Sequence, residues 1–313
     1  MHAPKIVISE FMDKATVDEL GTRHSVLFDP CLVDDRKRLL DVLAPAQALI
    51  VRNRTRVDGE LLAAAPHLRV VGRLGVGLDN IDLAACKAGG VAVCPATGAN
   101  ADAVAEYVIA AAMILRRGAF AATRTLIDGA WPRNDLIGRE IAGARLGLVG
   151  FGGIARTVAV RASTLGMKVS AFDPHVAPDH PCWWETERLG LEELLETVDV
   201  ISLHVPLTDE TRGLVDARAI AAMKPGVILI NTARGGIVDE RAVAGALRTG
   251  QLGGAALDVF AAEPLTAGAA AVFRDTPNLI LTPHIAGLTE ESNIRVSRVT
   301  VGHVLDELAR ADR

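Results

Sequence analysis

Three side chains in the last third of the chain are of the types that serve hydride transfer to a 2-oxo acid. They are Arg234 in NTARGGIVDE, Glu263 in DVFAAEP and His284 in TPHIAG. An arginine offers a planar, permanently charged fork that binds a carboxylate and polarises a carbonyl. An imidazole titrates at about 6.5 when unperturbed, so it gives or takes a proton near neutrality. A carboxylate bonded to that imidazole orients it and favours its protonated form. Each residue alone has an ordinary reading: Arg234 bridging loops, Glu263 capping the turn before Pro264, His284 donating to a backbone carbonyl. What shifts the balance is that each follows an apolar run: GVILIN (226–231), GAALDV (254–259) and LILT (279–282).

Those runs belong to a longer series. Early ones are KIVIS (5–9), SVLF (25–28), ALIV (48–51), LRVVGR (68–73) and VAVC (91–94). Later ones add RLGLVG (145–150), KVSAFD (168–173) and DVISLH (199–204). Helix-like segments separate them. Such alternation predicts an α/β protein with two doubly wound parallel sheets, and continuously apolar strands suit sheets covered on both faces. A long helical pattern, 100–117, divides the two series. Asn100 is its expected N-cap, with Asp102 in the first turn. The boundary is placed near residue 98, giving a domain over 1–98, completed by 286–313 through a terminal helical pattern at 290–310, and a second domain over 99–285. Ligands of open α/β sheets sit outside the carboxyl ends of the strands, where Arg234, Glu263 and His284 would converge.

The second series opens with a dinucleotide signature. Gly150, Gly152 and Ala155 form G-x-G-x-x-A between a strand and a helix. Gly150 permits the tight turn, Gly152 leaves room for a pyrophosphate, and Ala155 allows close helix–strand packing. Free N–H groups of Gly153 and Ile154 would meet the anion. Asp173 ends the next strand, 21 residues after Gly152. A carboxylate there accepts ribose hydroxyls and repels a 2′-phosphate, which favours NAD over NADP in a Rossmann domain.

Composition narrows the function classes. The 313 residues carry a formal net charge of −5, with no basic run, so nucleic acid is not the expected partner. No apolar stretch is long enough to span a bilayer, and the N-terminus lacks the apolar core of a secretory signal. Cys31, Cys86, Cys94 and Cys182 have no CxxC spacing and read as reduced thiols of a cytoplasmic protein. No His, Cys or Asp cluster has metal-ligand spacing. His204 reads as a packing or backbone-positioning residue beside the cofactor, and Trp183 and Trp184 as covers for apolar surface.

The chain resembles the D-2-hydroxyacid dehydrogenase family along essentially its whole length. The resemblance is carried by GRLGVGLDNID (72–82), the 145–173 fingerprint, HVPLTDETRGLV (204–215), NTARGGIVDE (231–240), ALDVFAAEP (256–264) and TPHIAG (282–287). It implies an NAD-dependent oxidoreductase with catalytic Arg234, Glu263 and His284. It also implies a flavodoxin-like substrate domain and a homodimer formed through the cofactor domain. Thr232, Ala233 and Asp258 are implied on the nicotinamide side, with Ala286 and Gly287 beside His284. Val205 and Pro206 would flank the adenosine, and Asn100 and Val104 would lie near the nicotinamide. Val76 and Gly77 would offer backbone N–H groups to the substrate carboxylate. One departure stands out: many members carry arginine where this chain has Gly153, and Arg156 is a candidate replacement.

Within the family, VRNRTRV (51–57), VVGRLGVG (70–77) and GAWPRNDLIGREIAG are most similar to phosphoglycerate dehydrogenase. Arg52 and Arg133 are therefore candidates to meet a second anionic group on the substrate, whereas Arg54 and Arg56 read as surface charge. Without a regulatory domain after residue 313, a short member acting on sulfolactate, glycerate or phosphoglycerate is expected. The alternative is an NAD(H)-sensing corepressor-like binding protein of the same fold.

Overall fold

The computed structural model describes residues 5–311; residues 1–4 and 312–313, which the expected first domain includes, lie outside the described residues. The chain divides into two compact units, Met1–Asn100 with Leu288–Arg313, and Ala101–Gly287. The break falls at 100 rather than 98 because residues 96–99 stay tied to the first unit. The Ala96 N–H reaches the Arg73 and Gly75 carbonyls, and the Ala99 N–H reaches that of Ala96. Asn100 is not the N-cap expected of it: its Oδ1 is buried without a hydrogen-bond partner.

The first unit holds five parallel strands: β1 (Ile6–Ile8), β2 (Val26–Phe28), β3 (Ala48–Val51), β4 (Val70–Arg73) and β5 (Ala92–Pro95), in the order β2-β1-β3-β4-β5. This is the flavodoxin-like order. β1 and β3 are buried along their length, as a sheet covered on both faces requires. Aspartates start the short helices: Asp13, Asp58 and Asp82 each accept a backbone N–H of the first turn, satisfying donors a helix start leaves open. The helix Glu290–Ala311 completes the core, with Val296, Val304 and Leu308 packed among Ile6, Ile8 and Ile50. Gly72 permits this approach, because a Cβ there would lie 2.6 Å from Val304 Cγ2 and 2.8 Å from Thr300 Cγ2.

The second unit holds seven parallel strands. They are β6 (Arg145–Val149), β7 (Lys168–Phe172), β8 (Glu187–Arg188), β9 (Val200–Leu203), β10 (Val227–Asn231), β11 (Leu252–Leu257) and β12 (Leu279–Leu281). Their order is β12-β11-β10-β9-β6-β7-β8, a Rossmann arrangement whose order reverses between β6 and β9. The helices Ala101–Arg117 and Gly153–Thr164 share one apolar core with Leu146 and Leu148, and the opposite face buries Leu194, Val243 and Leu247. Two details differ from the sequence expectation. β8 has only two charged residues, so no apolar run announces it. β11 starts at Leu252, not Gly254, because glycines fit where neighbours crowd the strand: a Cβ on Gly253 would lie 2.5 Å from the Gly226 carbonyl oxygen. The strand ends at Leu257; Asp258 and Val259 lie in the loop beyond it, with the Asp258 N–H on the Asn231 carbonyl at 3.0 Å. Among the described residues, no helix is long and apolar enough to cross a membrane, and no group of three His, Cys, Asp or Glu could hold a metal ion.

Candidate active site

At the carboxyl end of β6 the chain turns sharply through Gly150, φ +89°. A Cβ here would lie 2.7 Å from the carbonyl oxygen of His204, which follows β9. The His204 N–H bonds the Val149 carbonyl at 2.7 Å, so β6 and β9 remain in contact to their ends. Gly152 and Gly153 face open space. The Arg156 N–H is bonded back to the Gly152 carbonyl, and the amides of Gly153, Ile154 and Ala155 precede the helical ladder. Those amides and the helix dipole make a cradle for an anion. Asp173 lies beside it. One carboxylate oxygen accepts the Phe151 N–H and the other the His175 N–H, both at 2.8 Å. A carboxylate has about four acceptor positions, so capacity remains for ribose hydroxyls.

Arg156 is engaged with Phe151 of the same turn. Its Nε donates to the Phe151 carbonyl at 2.9 Å, and its guanidinium lies 5.8 Å from the centroid of that ring. Trp183 stacks on the other part of this cluster, 4.8 Å from the Phe151 centroid and nearly parallel, whereas Trp184 is exposed. Val104 is buried in the core of this unit, Val205 is partly buried and Pro206 exposed. Burial pushes the His204 pKa down to about 4, and its Nε2 lies 2.9 Å from Ser202 Oγ.

The three candidate reacting groups follow β10, β11 and β12. Asn231 ends β10 and organises the Arg234 turn: its amide group donates to the Arg234 carbonyl, and its oxygen accepts the Ala233 N–H, each at 3.0 Å. Gly235 lets this turn touch the loop after β11, since a Cβ would lie 1.8 Å from the Phe260 carbonyl oxygen. That loop carries Glu263. Its Oε1 accepts the Phe260 N–H at 3.0 Å, and its Oε2 lies 2.8 Å from Nδ1 of His284. Burial works against ionisation of Glu263, but the His284 contact, the Phe260 N–H and the nearby charges of His284 and Arg234 hold its pKa below the ordinary 4.5. The carboxylate is thus the ionised group in a site it shares with His284 and Arg234.

Two further residues fit a ligand at these strand ends. Thr232 Oγ1, directly after β10, is buried with no hydrogen-bond partner. Asp258 is buried, and its carboxylate accepts the Thr282 hydroxyl and the N–H groups of Ile285 and Ala286, so it grips the His284 turn. Gly287 closes the unit. The remaining candidates are scattered. Arg133 is exposed in the 129–141 segment. In the first unit, Val76 and Gly77 are partly buried after β4. Arg52, after β3, donates to Asn293 Oδ1 at 2.8 Å and lies 5.7 Å from the Phe11 ring centroid. Asn231, Thr282 and Tyr107 were not among the candidates. Their contributions are hydrogen bonds to main chain and to other side chains, which leave no spacing pattern in the sequence.

Comparison with known proteins decides the family. The NAD binding domain model of the D-isomer specific 2-hydroxyacid dehydrogenases matches residues 109–286. An (S)-sulfolactate dehydrogenase of Chromohalobacter salexigens is 59% identical over 300 residues, 96% of each chain. The chain belongs to the D-isomer specific 2-hydroxyacid dehydrogenase family. This dehydrogenase is also 42% identical over 302 residues to a D-3-phosphoglycerate dehydrogenase of Mycobacterium tuberculosis, covering 94% of this chain but 55% of the relative. It therefore spans about half the length of that enzyme. Among solved structures, a D-lactate dehydrogenase from Aquifex aeolicus complexed with NAD and lactic acid aligns with TM-score 0.84 at 30% identity, over 98% of this chain and 96% of that one. The dehydrogenase is an NAD-dependent oxidoreductase that interconverts 2-hydroxy and 2-oxo acids. The corepressor-like reading is not favoured, since these relatives bear enzyme names.

Proposed function

We propose that the dehydrogenase interconverts a 2-hydroxy acid bearing a second anionic group and its 2-oxo acid, with 3-sulfolactate and sulfopyruvate as the preferred pair. The 2.8 Å contact of Glu263 with His284 beside the Arg234 turn, at strand ends of a Rossmann sheet, supports the reaction class, and the 59% identity to an (S)-sulfolactate dehydrogenase supports the substrate pair. When bound, NADH would supply the hydride that C2 of the oxo acid accepts. His284 gives its proton to the carbonyl oxygen, and takes one back from the hydroxyl in the reverse direction. Arg234 holds the substrate carboxylate and polarises the carbonyl. Glu263 orients the imidazole and stabilises its charge.

The residues fit the dinucleotide. Gly152, Gly153 and Ile154 would hold the pyrophosphate at the helix start, Asp173 the ribose, and Val205 and Pro206 the adenosine. Thr232, whose buried hydroxyl lacks a partner, would meet the nicotinamide end with Ala233, Asp258, Ala286 and Gly287; Asn100 and Val104 are assigned to the same end. The first unit, completed by the terminal helix, is assigned to the substrate: Val76 and Gly77 would offer N–H groups to the carboxylate, and Arg52 would meet the second anion; Arg133, of the second unit, is assigned to the same anion.

The relative's (S) label agrees with a D-configured site. In sulfolactate the sulfur-bearing carbon outranks the carboxylate in the priority rules, whereas the lactate methyl ranks below it. The spatial arrangement called (R) in D-lactate is therefore called (S) in sulfolactate.

The protein works in the cytoplasm as a homodimer. Support for the first is its four unpaired cysteines, usual in a reducing compartment. Support for the second is a run of exposed apolar side chains, Phe120, Ile127, Trp131 and Ile137, a kind of surface that marks interfaces.

The test is a panel of sulfopyruvate, phosphohydroxypyruvate, hydroxypyruvate, glyoxylate and pyruvate mixed with NADH, read as loss of NADH absorbance. Sulfopyruvate is expected to give the highest kcat/KM. Equal kcat/KM for pyruvate would remove the second-anion assignment, and binding of NADH without turnover of any oxo acid would remove the enzyme's assigned substrate class.

A further inference from the structure

A chain of hydroxyl groups runs behind the turn that carries His284. The phenol oxygen of Tyr107, in the helix Ala101–Arg117, lies 2.6 Å from Thr282 Oγ1. Thr282 Oγ1 lies 2.6 Å from Asp258 Oδ1. The same carboxylate takes the Ile285 N–H on Oδ1 and the Ala286 N–H on Oδ2, both at 2.8 Å.

The direction of these bonds follows from proton counting. An ionised carboxylate only accepts, and a threonine hydroxyl has one proton to give. Thr282 gives it to Asp258 and can then only accept from Tyr107. The order is Tyr107 to Thr282 to Asp258. Burial raises the Tyr107 pKa; the bond to Thr282 opposes the shift and the Asp258 charge adds to it. The phenol therefore keeps its proton and remains the donor.

What the relay holds is an uncommon backbone. His284 has φ +57°, the left-handed region that non-glycine residues disfavour and that persists where neighbours over-determine it. Here the His284 N–H bonds the Asp258 carbonyl at 2.8 Å and the Thr282 carbonyl at 3.0 Å. The next two N–H groups are taken by the Asp258 carboxylate. Four bonds from two residues thus fix the direction in which the imidazole leaves the chain, and that direction brings Nδ1 to Glu263.

We infer that Tyr107 and Thr282 are positioning residues for the His284 imidazole, acting through Asp258; the inference rests on His284 being the proton-transfer group. Its readout is turnover, separate from cofactor affinity. In Thr282→Val the shape is kept and the donor removed, and in Tyr107→Phe only the first hydroxyl is lost. Each is expected to lower kcat, by up to about tenfold per hydrogen bond lost, one in Tyr107→Phe and two in Thr282→Val, with the NADH Kd within about twofold of the parent. Thr282→Ser restores the donor and is expected to recover most of the lost kcat. The double variant Tyr107→Phe/Thr282→Val is expected to be no slower than Thr282→Val, because members of one network are not additive.

His284→Ala is measured alongside. If it loses turnover while Thr282→Val and Tyr107→Phe keep the parent kcat, the relay is overturned and the role of His284 stands. If His284→Ala itself keeps full turnover, the role of His284 falls first. Equal losses of kcat and NADH affinity in Thr282→Val, or failure of Thr282→Ser to recover kcat, would also overturn the relay.

Discussion

Glu263 holds His284 with one carboxylate oxygen while its other oxygen is held by the turn it belongs to. Oε2 lies 2.8 Å from the imidazole Nδ1, and Oε1 accepts the Phe260 N–H at 3.0 Å. A carboxylate fixed at both ends cannot swing away from its partner, so the imidazole has one preferred plane.

Removing either partner is expected to cost turnover more than cofactor affinity. His284→Ala is expected to lose roughly 10²–10⁴ in kcat, the usual contribution of a placed proton donor. Glu263→Gln keeps the shape and loses the charge, and is expected to lose about 10–10², the worth of a hydrogen bond to a charged group. Steady-state kinetics with NADH titration checks both. The pair also has an acid limit. The folded Glu263 pKa lies below its ordinary 4.5, so its stabilising contribution is complete above pH 4.5 and is lost as pH falls through the lower folded value.

Gly150 and Gly152 predict opposite outcomes for the same change. Gly150→Ala puts a Cβ at φ +89°, 2.7 Å from the His204 carbonyl oxygen. It is expected to lower stability by at least roughly 1–2 kcal/mol, seen as a fall in Tm. Gly152 has an ordinary φ of −75° and open space around it. Gly152→Ala is expected to keep Tm and to weaken NADH binding, because the added methyl meets only the dinucleotide. An unchanged NADH Kd in that variant would contradict the pyrophosphate assignment.

His204 gives the fold a pH dependence of its own. Burial depresses its folded pKa to about 4, against about 6.5 in an unfolded chain. Between these values the unfolded chain binds a proton that the folded protein refuses. Stability is therefore full above about pH 6.5 and declines as pH falls toward 4. His204→Gln removes this titration, and urea unfolding across that range is expected to show a flatter pH dependence than the parent.

The exposed apolar run offers a test of assembly. Trp131 and Ile137 are 80% and 78% exposed in the isolated chain. Trp131→Asp with Ile137→Asp is expected to convert a dimer to a monomer, read as mass by light scattering. A parent chain that is already monomeric at micromolar concentration would contradict the homodimer.

Much of this protein is legible in its residues read in order. Apolar runs pick out eleven of the twelve strands among the described residues because strands that face a core carry their own signal; the charged pair Glu187–Arg188 has none. The glycine spacing locates the dinucleotide turn because backbone approach there excludes side chains. Strand ends nominate Arg234, Glu263 and His284 because open sheets bind ligands at that edge. Tertiary structure alone decides which oxygen of Glu263 meets the imidazole, that Arg156 turns back onto Phe151, and that Asp258 reaches Thr282, Ile285 and Ala286. Those are hydrogen bonds between residues up to 28 positions apart, and the bond of Tyr107 with Thr282 spans 175. Such bonds are set by side-chain direction and loop path, and neither repeats along the chain with a period that a sequence can display.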